Sequence, residues 1–180
     1  MTPTKFFLTS GVGTHKDHLA SFEAALREAG LAPFNLVSVS SILPPGCKKI
    51  TWQKGLDLLN PGEIVFVVLA RNATNEPNRL AASSIGCAIP ANHKRYGYLS
   101  EHHSFGETRE IAGDYAEDLA ASMLATTLGL KFNSDEAWDS RRQAFRLSGK
   151  IVRTTNVTQT ARGDKAGRWT SVVSAAVFIT

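Results

Sequence analysis

The chain has 180 residues, of which 43% are hydrophobic and 20% are charged, and its formal net charge is +4. This length and composition fit one folded domain with a hydrophobic core and exclude a disordered chain. Basic residues are scattered rather than interleaved with aromatic residues, which excludes an evident nucleic-acid-binding surface. No apolar run is long enough to span a membrane, and the first residues lack the pattern of a signal peptide, so a cytoplasmic protein is predicted. Cys47 and Cys87 lack metal-ligand spacing and are expected to be free thiols.

The first predicted strand covers residues 5–9, and residues 10–14 are predicted to turn the chain into a helix. Gly11 and Gly13 follow a strand, as in a dinucleotide-binding turn, but Lys16 stands where the third glycine of that motif belongs. A tight strand-to-helix turn is therefore the preferred interpretation. Asp17 or Thr14 is expected to cap the helix at its N-terminus.

The helix that follows has an apolar face and ends at Gly30, a residue suited to a left-handed C-terminal conformation. The residues of this face recur at helical spacing: Leu19, Phe22, Leu26 and Ala29.

The next strand, predicted at residues 34–39, delivers the adjacent Ser40 and Ser41. Pro44, Pro45 and Gly46 follow, which excludes a helix and imposes an extended path and then a turn. A serine held rigidly at such a bend can fold its hydroxyl back onto the preceding carbonyl. No Gly-x-Ser-x-Gly or Ser-x-x-Lys pattern surrounds Ser41, so the sequence does not indicate a serine hydrolase.

The remaining elements are predicted from periodicity. A short helical piece at 52–59 precedes a continuous apolar strand at 64–69, which is expected to be buried on both faces. A loop at 71–79 leads to a small-residue strand at 80–89, whose composition indicates close approach of another sheet face or another subunit. A strand at 96–100 leads to Glu101-His102-His103, which are expected at the strand end.

The longest helix is predicted from about residue 107 to 128, and Gly129 closes it. One face of it is apolar and consists of Ile111, Tyr115, Leu119, Ser122 or Met123, and Thr126. Residues 131–149 are expected to be irregular to helical with Trp138 as the apolar anchor. Strands at 151–160 and 170–179 are predicted to form a hairpin. Strands thus outnumber helices, and the pattern indicates a single α/β (α+β) domain.

The stretches at residues 5–13, 97–103 and 113–119, together with Ser40-Ser41 and the following Pro44-Pro45, resemble the pyruvoyl-dependent arginine decarboxylases. The similarity covers nearly the whole chain. It implies a four-layer α-β-β-α sandwich that assembles as a trimer or as a dimer of trimers. It also implies self-cleavage between the two serines, giving a small chain 1–40 and a large chain 41–180.

The chemistry implied by this resemblance begins with attack of the Ser41 hydroxyl on the carbonyl of Ser40, which needs only proximity. The resulting ester eliminates to free residue 40 and leaves dehydroalanine at 41. Hydrolysis then gives ammonia and a covalent pyruvoyl cofactor. The implied reaction is conversion of L-arginine to agmatine and CO2 through a Schiff base with that group.

The resemblance also suggests roles for individual residues. Glu101 corresponds to a proton donor, a role that requires burial to raise its pKa. Asn35 corresponds to a donor to the oxyanion of self-cleavage, although a strand-edge asparagine bonded to the backbone is an equal alternative. Glu23 corresponds to the partner of the substrate guanidinium, with an exposed helix glutamate as the competing interpretation. The substrate pocket implied by the resemblance also includes Phe34, Ser40 and Ile42.

Three alternatives remain open at this point. The chain could be a pyruvoyl decarboxylase of another amino acid, or an unprocessed oligomeric scaffold without activity. A nucleotide-binding α/β protein using Gly11 and Gly13 is the third and is not expected. The adjacent His102 and His103 should point apart and have no third ligand at usable spacing, so no metal site is expected. In the implied family the active site lies between subunits, so Glu23 and Glu101 can reach one pyruvoyl group from different chains.

Overall fold

The computed structural model describes residues 1–130, 136, 140–143 and 148–180. Its strands are β1 (Lys5–His15), β2 (Asn35–Ser38), β3 (Ile42–Leu43), β4 (Lys48–Lys49), β5 (Ile64–Thr74), β6 (Leu80–Pro90), β7 (Gly97–Phe105), β8 (Ile151–Arg162) and β9 (Trp169–Ile179). Its helices outside residues 131–147 are α1 (His18–Glu28), α2 (Trp52–Leu56) and α3 (Arg109–Thr127). The predicted single α+β domain is confirmed, whereas most of the 131–149 segment, including Trp138, lies outside the described residues.

The strands form two sheets. Sheet I has the order β2-β5-β9-β1-β4, and sheet II has the order β3-β7-β6-β8. Apolar side chains from both sheets meet in one cluster that includes Phe6, Val68, Ile85, Leu99 and Phe178. Since β2 and β3 are edge strands of different sheets, residues 39–41 carry the chain from sheet I to sheet II.

The two long helices pack against different sheets. Helix α1 contacts β1 and β9 of sheet I, and α3 contacts β6, β7 and β8 of sheet II. Strand β5 is buried on both faces, as predicted, because Val67 belongs to the cluster under α1 and Val68 to the cluster between the sheets. None of the helices in the described part of the chain is long and apolar enough to cross a membrane.

The predicted turn at residues 10–14 is wrong, because these residues continue β1 as far as His15. The two glycines instead allow α1 to lie directly on the strand. A Cβ atom at Gly11 would lie 2.2 Å from the carbonyl oxygen of Ala25, and one at Gly13 would lie 2.2 Å from that of Ser21. The pattern that resembled a nucleotide-binding turn is therefore explained by close helix–strand packing.

Substitution of Gly13 by alanine should destabilise the protein by about 3 kcal/mol, because the new Cβ atom meets backbone that cannot move aside. Equilibrium unfolding in urea measures this loss. Gly62→Ala is the control, since Gly62 has a φ of 84° and no neighbouring atom within 4 Å, so it should lose only about 1 kcal/mol. Equal losses in the two variants would contradict the packing explanation.

The ends of α1 follow the sequence prediction, but its apolar face does so only in part. The side chain of Asp17 accepts a hydrogen bond from the Ala20 amide, and Gly30 has a φ of 79°. Phe22, Leu26 and Ala29 pack in the cluster under the helix. Leu19 does not, because 74% of its surface is exposed.

The predicted apolar face of α3 points away from the core. Ile111, Tyr115 and Leu119 are 55%, 53% and 37% exposed, whereas the alanines on the opposite side of the helix are buried. The physical reason is the short distance between helix and sheet, since a Cβ atom at Gly86 would lie 2.0 Å from the carbonyl oxygen of Ala116. Only small side chains fit such an approach, so the larger ones are left on the surface.

The predicted hairpin of residues 151–160 and 170–179 is wrong, because β8 pairs with β6 in sheet II and β9 pairs with β1 and β5 in sheet I. The short helix α2 and the small-residue strand β6 are confirmed. The loop predicted at residues 71–79 starts later, because β5 extends to Thr74. Cys47 and Cys87 are free thiols in the core, and burial raises their pKa values to about 11 and about 12.

Candidate active site

The Ser40–Ser41 peptide is held at the crossing between the two sheets. On the sheet I side, the amide of Val39 donates a 2.9 Å hydrogen bond to the carbonyl of Val67. On the sheet II side, the amide of Leu99 donates a 2.7 Å hydrogen bond to the carbonyl of Ser41. The bend predicted from the following prolines is therefore fixed by backbone contacts on both sides.

Beside this bend lies a cleft of about 430 Å³. It is lined by Met1, Thr2, Pro3, Val39, Ser40, Ile42, Pro44, Pro45, Phe66, Phe178 and Thr180. Two of the predicted pocket residues, Ser40 and Ile42, thus lie together on its wall. Phe34 does not line it, and packs instead with Leu36 in the cluster beneath α1.

Glu101 lies within β7 rather than at a strand end, because β7 continues to Phe105. The hydrogen bond from Leu99 places Ser41 opposite Leu99, and Glu101 is two residues further along the same face of the strand. Partial burial raises the pKa of Glu101, and the neighbouring His103 opposes this only in part. A raised pKa favours the protonated form of the carboxyl group, which is the form that a proton donor needs.

The next residue, His102, contacts a different set of partners. Its Nε2 lies 2.8 Å from Oε2 of Glu107, to which the Ser104 hydroxyl also donates at 2.7 Å. Burial raises the pKa of Glu107, but the two hydrogen bonds outweigh burial, and the pKa is lowered. In residues 1–130, 136, 140–143 and 148–180 no three His, Cys, Asp or Glu side chains are grouped as metal ligands.

Asn35 is not brought to the Ser40–Ser41 peptide within the protomer. It pairs with Ile64 at the start of β2, and its Nδ2 donates a 2.8 Å hydrogen bond to the carbonyl of Gly62. Ser40 is five positions further along the sequence, which corresponds to about 16 Å in an extended chain. The observed contact is that of a strand-edge asparagine, and its role in self-cleavage stays a prediction.

Glu23 lies on α1 and forms an ion pair with Arg27, with 2.5 Å between Oε1 and Nε. The Arg27 side chain is largely exposed, and the Glu23 side chain is about half exposed. The pair has the composition of a carboxylate bound to a guanidinium, which is the contact predicted for the substrate. No described hydrogen bond or ion pair joins Glu23 to Ser41.

A second cavity, of about 380 Å³, separates α1 from β5, β7 and β9. It is lined by His18, Leu19, Phe22, Arg71, Asn72, Ala73, His103, Trp169 and Ser171. Its wall includes Phe22, the neighbour of Glu23, and His103, two residues from Glu101. Glu23, Glu101 and Ser41 are themselves absent from its lining.

Sequence reasoning missed the groups that hold the Ser40–Ser41 peptide. They are the backbone amides of Val39, Ile42 and Leu99, and a backbone amide has no signature in residue type. It also missed Arg71, whose guanidinium lies 5.2 Å above the ring of Phe22 in the second cavity. The only signal was an arginine directly after the apolar run at residues 64–70.

Comparison with known proteins gives a consistent result. The family model described as pyruvoyl-dependent arginine decarboxylase matches residues 5–180. Pyruvoyl-dependent arginine decarboxylase 2 of Methanosarcina acetivorans is 62% identical over 180 residues, which cover 100% of this chain and 98% of the relative. A probable pyruvoyl-dependent arginine decarboxylase of Chloroherpeton thalassium is 60% identical over 177 residues, covering 98% of this chain and 97% of the relative. One from Chlorobium phaeovibrioides is 57% identical over 177 residues, with the same coverage.

Proposed function

Because the chain belongs to the pyruvoyl-dependent arginine decarboxylase family, we propose that it cuts itself between Ser40 and Ser41 and then converts L-arginine to agmatine and CO2. The family supplies the reaction and the covalent pyruvoyl group. The observation that supports assigning the cut to Ser40 and Ser41 is that backbone hydrogen bonds hold this peptide at a bend between two sheets. Self-cleavage would give chains 1–40 and 41–180.

Self-cleavage needs only groups that the bend already holds together. The Ser41 hydroxyl oxygen bonds to the carbonyl carbon of Ser40, the peptide C–N bond breaks, and the hydroxyl proton moves to the Ser41 nitrogen. Loss of the Cα proton of residue 41 then breaks the Cβ–Oγ bond of that residue, so that the oxygen leaves with the carboxylate of Ser40 and dehydroalanine remains at 41. Water replaces the nitrogen of residue 41, and ammonia leaves.

The surroundings of residue 41 fit a pyruvoyl group. Residue 41 precedes β3, which pairs with β7, and its carbonyl accepts the Leu99 amide, so the new chain end stays anchored after cleavage. When formed, the group supplies a ketone conjugated to this carbonyl, which condenses with the substrate amine and withdraws electrons from the bond that breaks. Glu101 delivers a proton to the substrate carbon that loses its carboxylate.

Glu23 is proposed to bind the guanidinium of arginine. A hydrogen-bonded ion pair contributes about 1.5–3 kcal/mol, so Glu23→Gln should raise the KM for arginine about 10- to 100-fold. Self-cleavage should proceed normally in this variant. Steady-state release of CO2 measures KM, and Glu28→Gln on the same helix is the matched control.

A substitution of Arg27 provides a second test of this role, because the Arg27 guanidinium is paired with the Glu23 carboxylate to which the substrate would bind. Arg27→Gln releases Glu23 from this internal competitor, so the KM for arginine should fall or stay unchanged. A rise in KM in Arg27→Gln as large as that in Glu23→Gln would show that the ion pair only supports the helix.

The proposed assembly is a four-layer α-β-β-α sandwich that forms a trimer or a dimer of trimers. The packing of α1 on sheet I, of the sheets on each other and of α3 on sheet II supports the layering. The described contact of Glu23 is with Arg27 rather than with Ser41, and Leu19 on the same helix is exposed, which supports a site shared between protomers. A location in the cytoplasm is part of the same proposal.

Mixed oligomers can test whether the site is shared. Protomers with Ser41→Ala are co-expressed with protomers carrying Glu23→Gln, neither of which should be efficient alone. If the site lies between protomers, one kind of interface combines an intact Ser41 with an intact Glu23, and efficient turnover returns. If each protomer holds a whole site, mixing restores nothing.

The first experiment on the unmodified protein is denaturing intact-mass analysis together with assays of CO2 release. Two fragments that meet at Ser40/Ser41, the larger one lighter than its hydrolytic equivalent by the mass of ammonia, are expected. Faster release of CO2 from lysine or histidine than from arginine would support a decarboxylase of another amino acid. A single full-length chain without activity would support the unprocessed scaffold.

A further inference from the structure

We infer that Asn72 is a positioning residue, which holds the Glu101 segment of β7 against sheet I and thereby sets where Glu101 delivers its proton during decarboxylation. This inference rests on the proposed function and adds a residue to its second reaction. Asn72 lies on β5, and its Nδ2 donates a 2.8 Å hydrogen bond to the carbonyl oxygen of Ser104 on β7. The contact joins the two sheets three residues beyond Glu101 in the same strand.

The stretch of β7 that carries Glu101 has a paired strand on one side only. Strand β3 is two residues long and pairs with residues 97–98, whereas β6 pairs with residues 98–105. In the part of the chain that the structure describes, no strand pairs with residues 100–105 on the side away from β6. A segment with so few backbone partners moves more easily than a central strand unless another contact holds it.

The side chain of Glu101 lies on the face of sheet II that meets sheet I. Glu101 pairs opposite Ile85 in the antiparallel sheet, and directly opposite residues share a face. Ile85 and Leu99 both belong to the apolar cluster between the two sheets. The distance between β7 and sheet I therefore decides where the carboxyl group of Glu101 lies.

Two contacts bracket Glu101 along β7. The amide of Leu99 donates to the carbonyl of Ser41 on one side, and the carbonyl of Ser104 accepts from Asn72 on the other. The first contact holds the strand to residue 41, and the second holds it to sheet I. With the second contact removed, only one end of the segment stays fixed relative to the residue that becomes the pyruvoyl group.

The Asn72 amide has a fixed orientation. Its Oδ1 accepts a 2.9 Å hydrogen bond from the backbone amide of Ala73, so Nδ2 is the atom that faces sheet II. Nδ2 also lies 3.5 Å from the carbonyl of Ala82 on β6, which pairs opposite Ser104. Strand β5 is itself paired with β9 along residues 67–74. Asn72 thus links the end of the β6–β7 pair to a strand that is firmly held in sheet I.

Only one step of the reaction depends on the exact position of Glu101. The bond between the substrate carbon and its carboxylate breaks, and CO2 leaves without its electron pair. That carbon then takes the proton of the Glu101 carboxyl group, which becomes a carboxylate and regains a proton from water. A proton donor must lie within hydrogen-bond reach of its acceptor, and a displacement of about 1 Å can slow a reaction about 10²-fold. Loss of Asn72 should therefore slow proton transfer and leave the release of CO2 unchanged.

The test measures the two steps separately in Asn72→Ala. A single turnover of carboxyl-labelled arginine runs in D2O and is quenched in acid made with H2O, so deuterium on the agmatine carbon counts the transfers completed before the quench. We expect deuterium to appear about 10²-fold more slowly than in the natural protein. Release of labelled CO2 should stay within about threefold, and self-cleavage should be complete, because the contacts of Val39 and Leu99 at the bend do not involve Asn72.

An isosteric variant separates the hydrogen bond from the volume of the side chain. Asn72→Asp keeps the size and the acceptor for the Ala73 amide, but at pH 8 its carboxylate has no hydrogen to donate to Ser104. It should show the same selective loss of deuterium transfer as Asn72→Ala. Transfer at the natural rate in Asn72→Asp would overturn the inference, because the donated hydrogen bond would then have no part in placing Glu101.

Ser174→Ala is the matched control. The Ser174 hydroxyl donates a 2.9 Å hydrogen bond to the carbonyl of Ser83, so it links the same two sheets but reaches β6 rather than β7. Each alanine variant loses one such link, and each should unfold at a temperature lower by about 2–4 °C. Deuterium transfer in Ser174→Ala should stay within about threefold of the natural rate.

Three further outcomes would overturn the inference. They are natural rates of both steps in Asn72→Ala, equal slowing of CO2 release and deuterium transfer in that variant, and the same selective loss in Ser174→Ala. The second would assign Asn72 to the general integrity of the site. Failure of the proposed function is a separate result, since the natural protein itself would then release no CO2 from arginine.

Discussion

Replacement of Ser41 by alanine should leave a single chain of 180 residues that releases no CO2 from arginine. Alanine has no hydroxyl to attack the carbonyl of Ser40, and the uncatalysed cleavage of a peptide bond is too slow to observe. Without cleavage no pyruvoyl group forms at residue 41. Denaturing intact-mass analysis measures the first effect, and an assay of agmatine formation measures the second.

The control for this prediction is Ser40→Ala, which keeps the Ser41 nucleophile and the amides that hold the bend. It should be cut between residues 40 and 41 with a rate within about tenfold of the natural chain, because the hydroxyl of Ser40 takes no part in bond formation. Cleavage of Ser41→Ala at this position would assign the cut to another nucleophile or to a protease. Both variants should show the far-ultraviolet circular dichroism of the natural protein.

The bend was predictable because it depends on local chemistry. Two prolines restrict the backbone after Ser41 wherever they occur, and Asp17 caps a helix through its own side chain. The strong apolar run of β5 likewise predicts a buried strand without knowledge of its neighbours. Elements of this kind are specified within a few residues of sequence.

The contacts that sequence reasoning missed depend on distances between elements that are far apart in the chain. From sequence, Gly13 was predicted to make a turn. The structure shows instead that glycine is required there because α1 lies so close that a Cβ atom would collide with its backbone. Ile111 and Tyr115 form the more apolar face of α3, yet the short approach of that helix to sheet II admits only alanines. Periodicity identifies a face but does not report how close its neighbour lies.

In the candidate site, too, some features could be predicted from the sequence and others depend on the fold. Ser41 and Glu101 are chemically distinctive residue types, and a resemblance can point to them. The amides of Ile42 and Leu99 act through backbone atoms that every residue except proline has, so only the fold reveals them. Asn35 has a distinctive side chain, but its hydrogen bond to Gly62 appears only when β2 is placed beside β5.

The Glu101→Gln variant should undergo normal self-cleavage, but its rate of arginine decarboxylation should fall by about 10²- to 10³-fold. Glutamine keeps the size and hydrogen bonding of the side chain but has no acidic proton, and general acid catalysis contributes about 10²- to 10⁴-fold to a rate. Intact mass checks cleavage, and single-turnover release of CO2 and formation of agmatine check the proton transfer. Slowed cleavage in this variant would instead assign Glu101 to maturation.

The raised pKa of Glu101 adds a prediction for stability. Since the folded pKa exceeds the unfolded value, the ionised carboxylate destabilises the fold above the folded pKa and has no effect below the unfolded one. Glu101→Gln should therefore melt at an equal or higher temperature than the natural protein at pH 8. The difference should vanish below about pH 4, where both states are protonated.

Glu107→Gln is the matched control, because Glu107 lies six residues away and accepts hydrogen bonds from His102 and Ser104. The pKa of Glu107 is lowered, so this carboxyl is ionised at neutral pH and has no proton to give. Its variant should decarboxylate arginine within about threefold of the natural rate. Equal loss in the two variants would mean that the local fold of β7, rather than a proton held on Glu101, limits the reaction. Loss confined to Glu101→Gln would tie the raised pKa of one carboxyl to the step that makes agmatine.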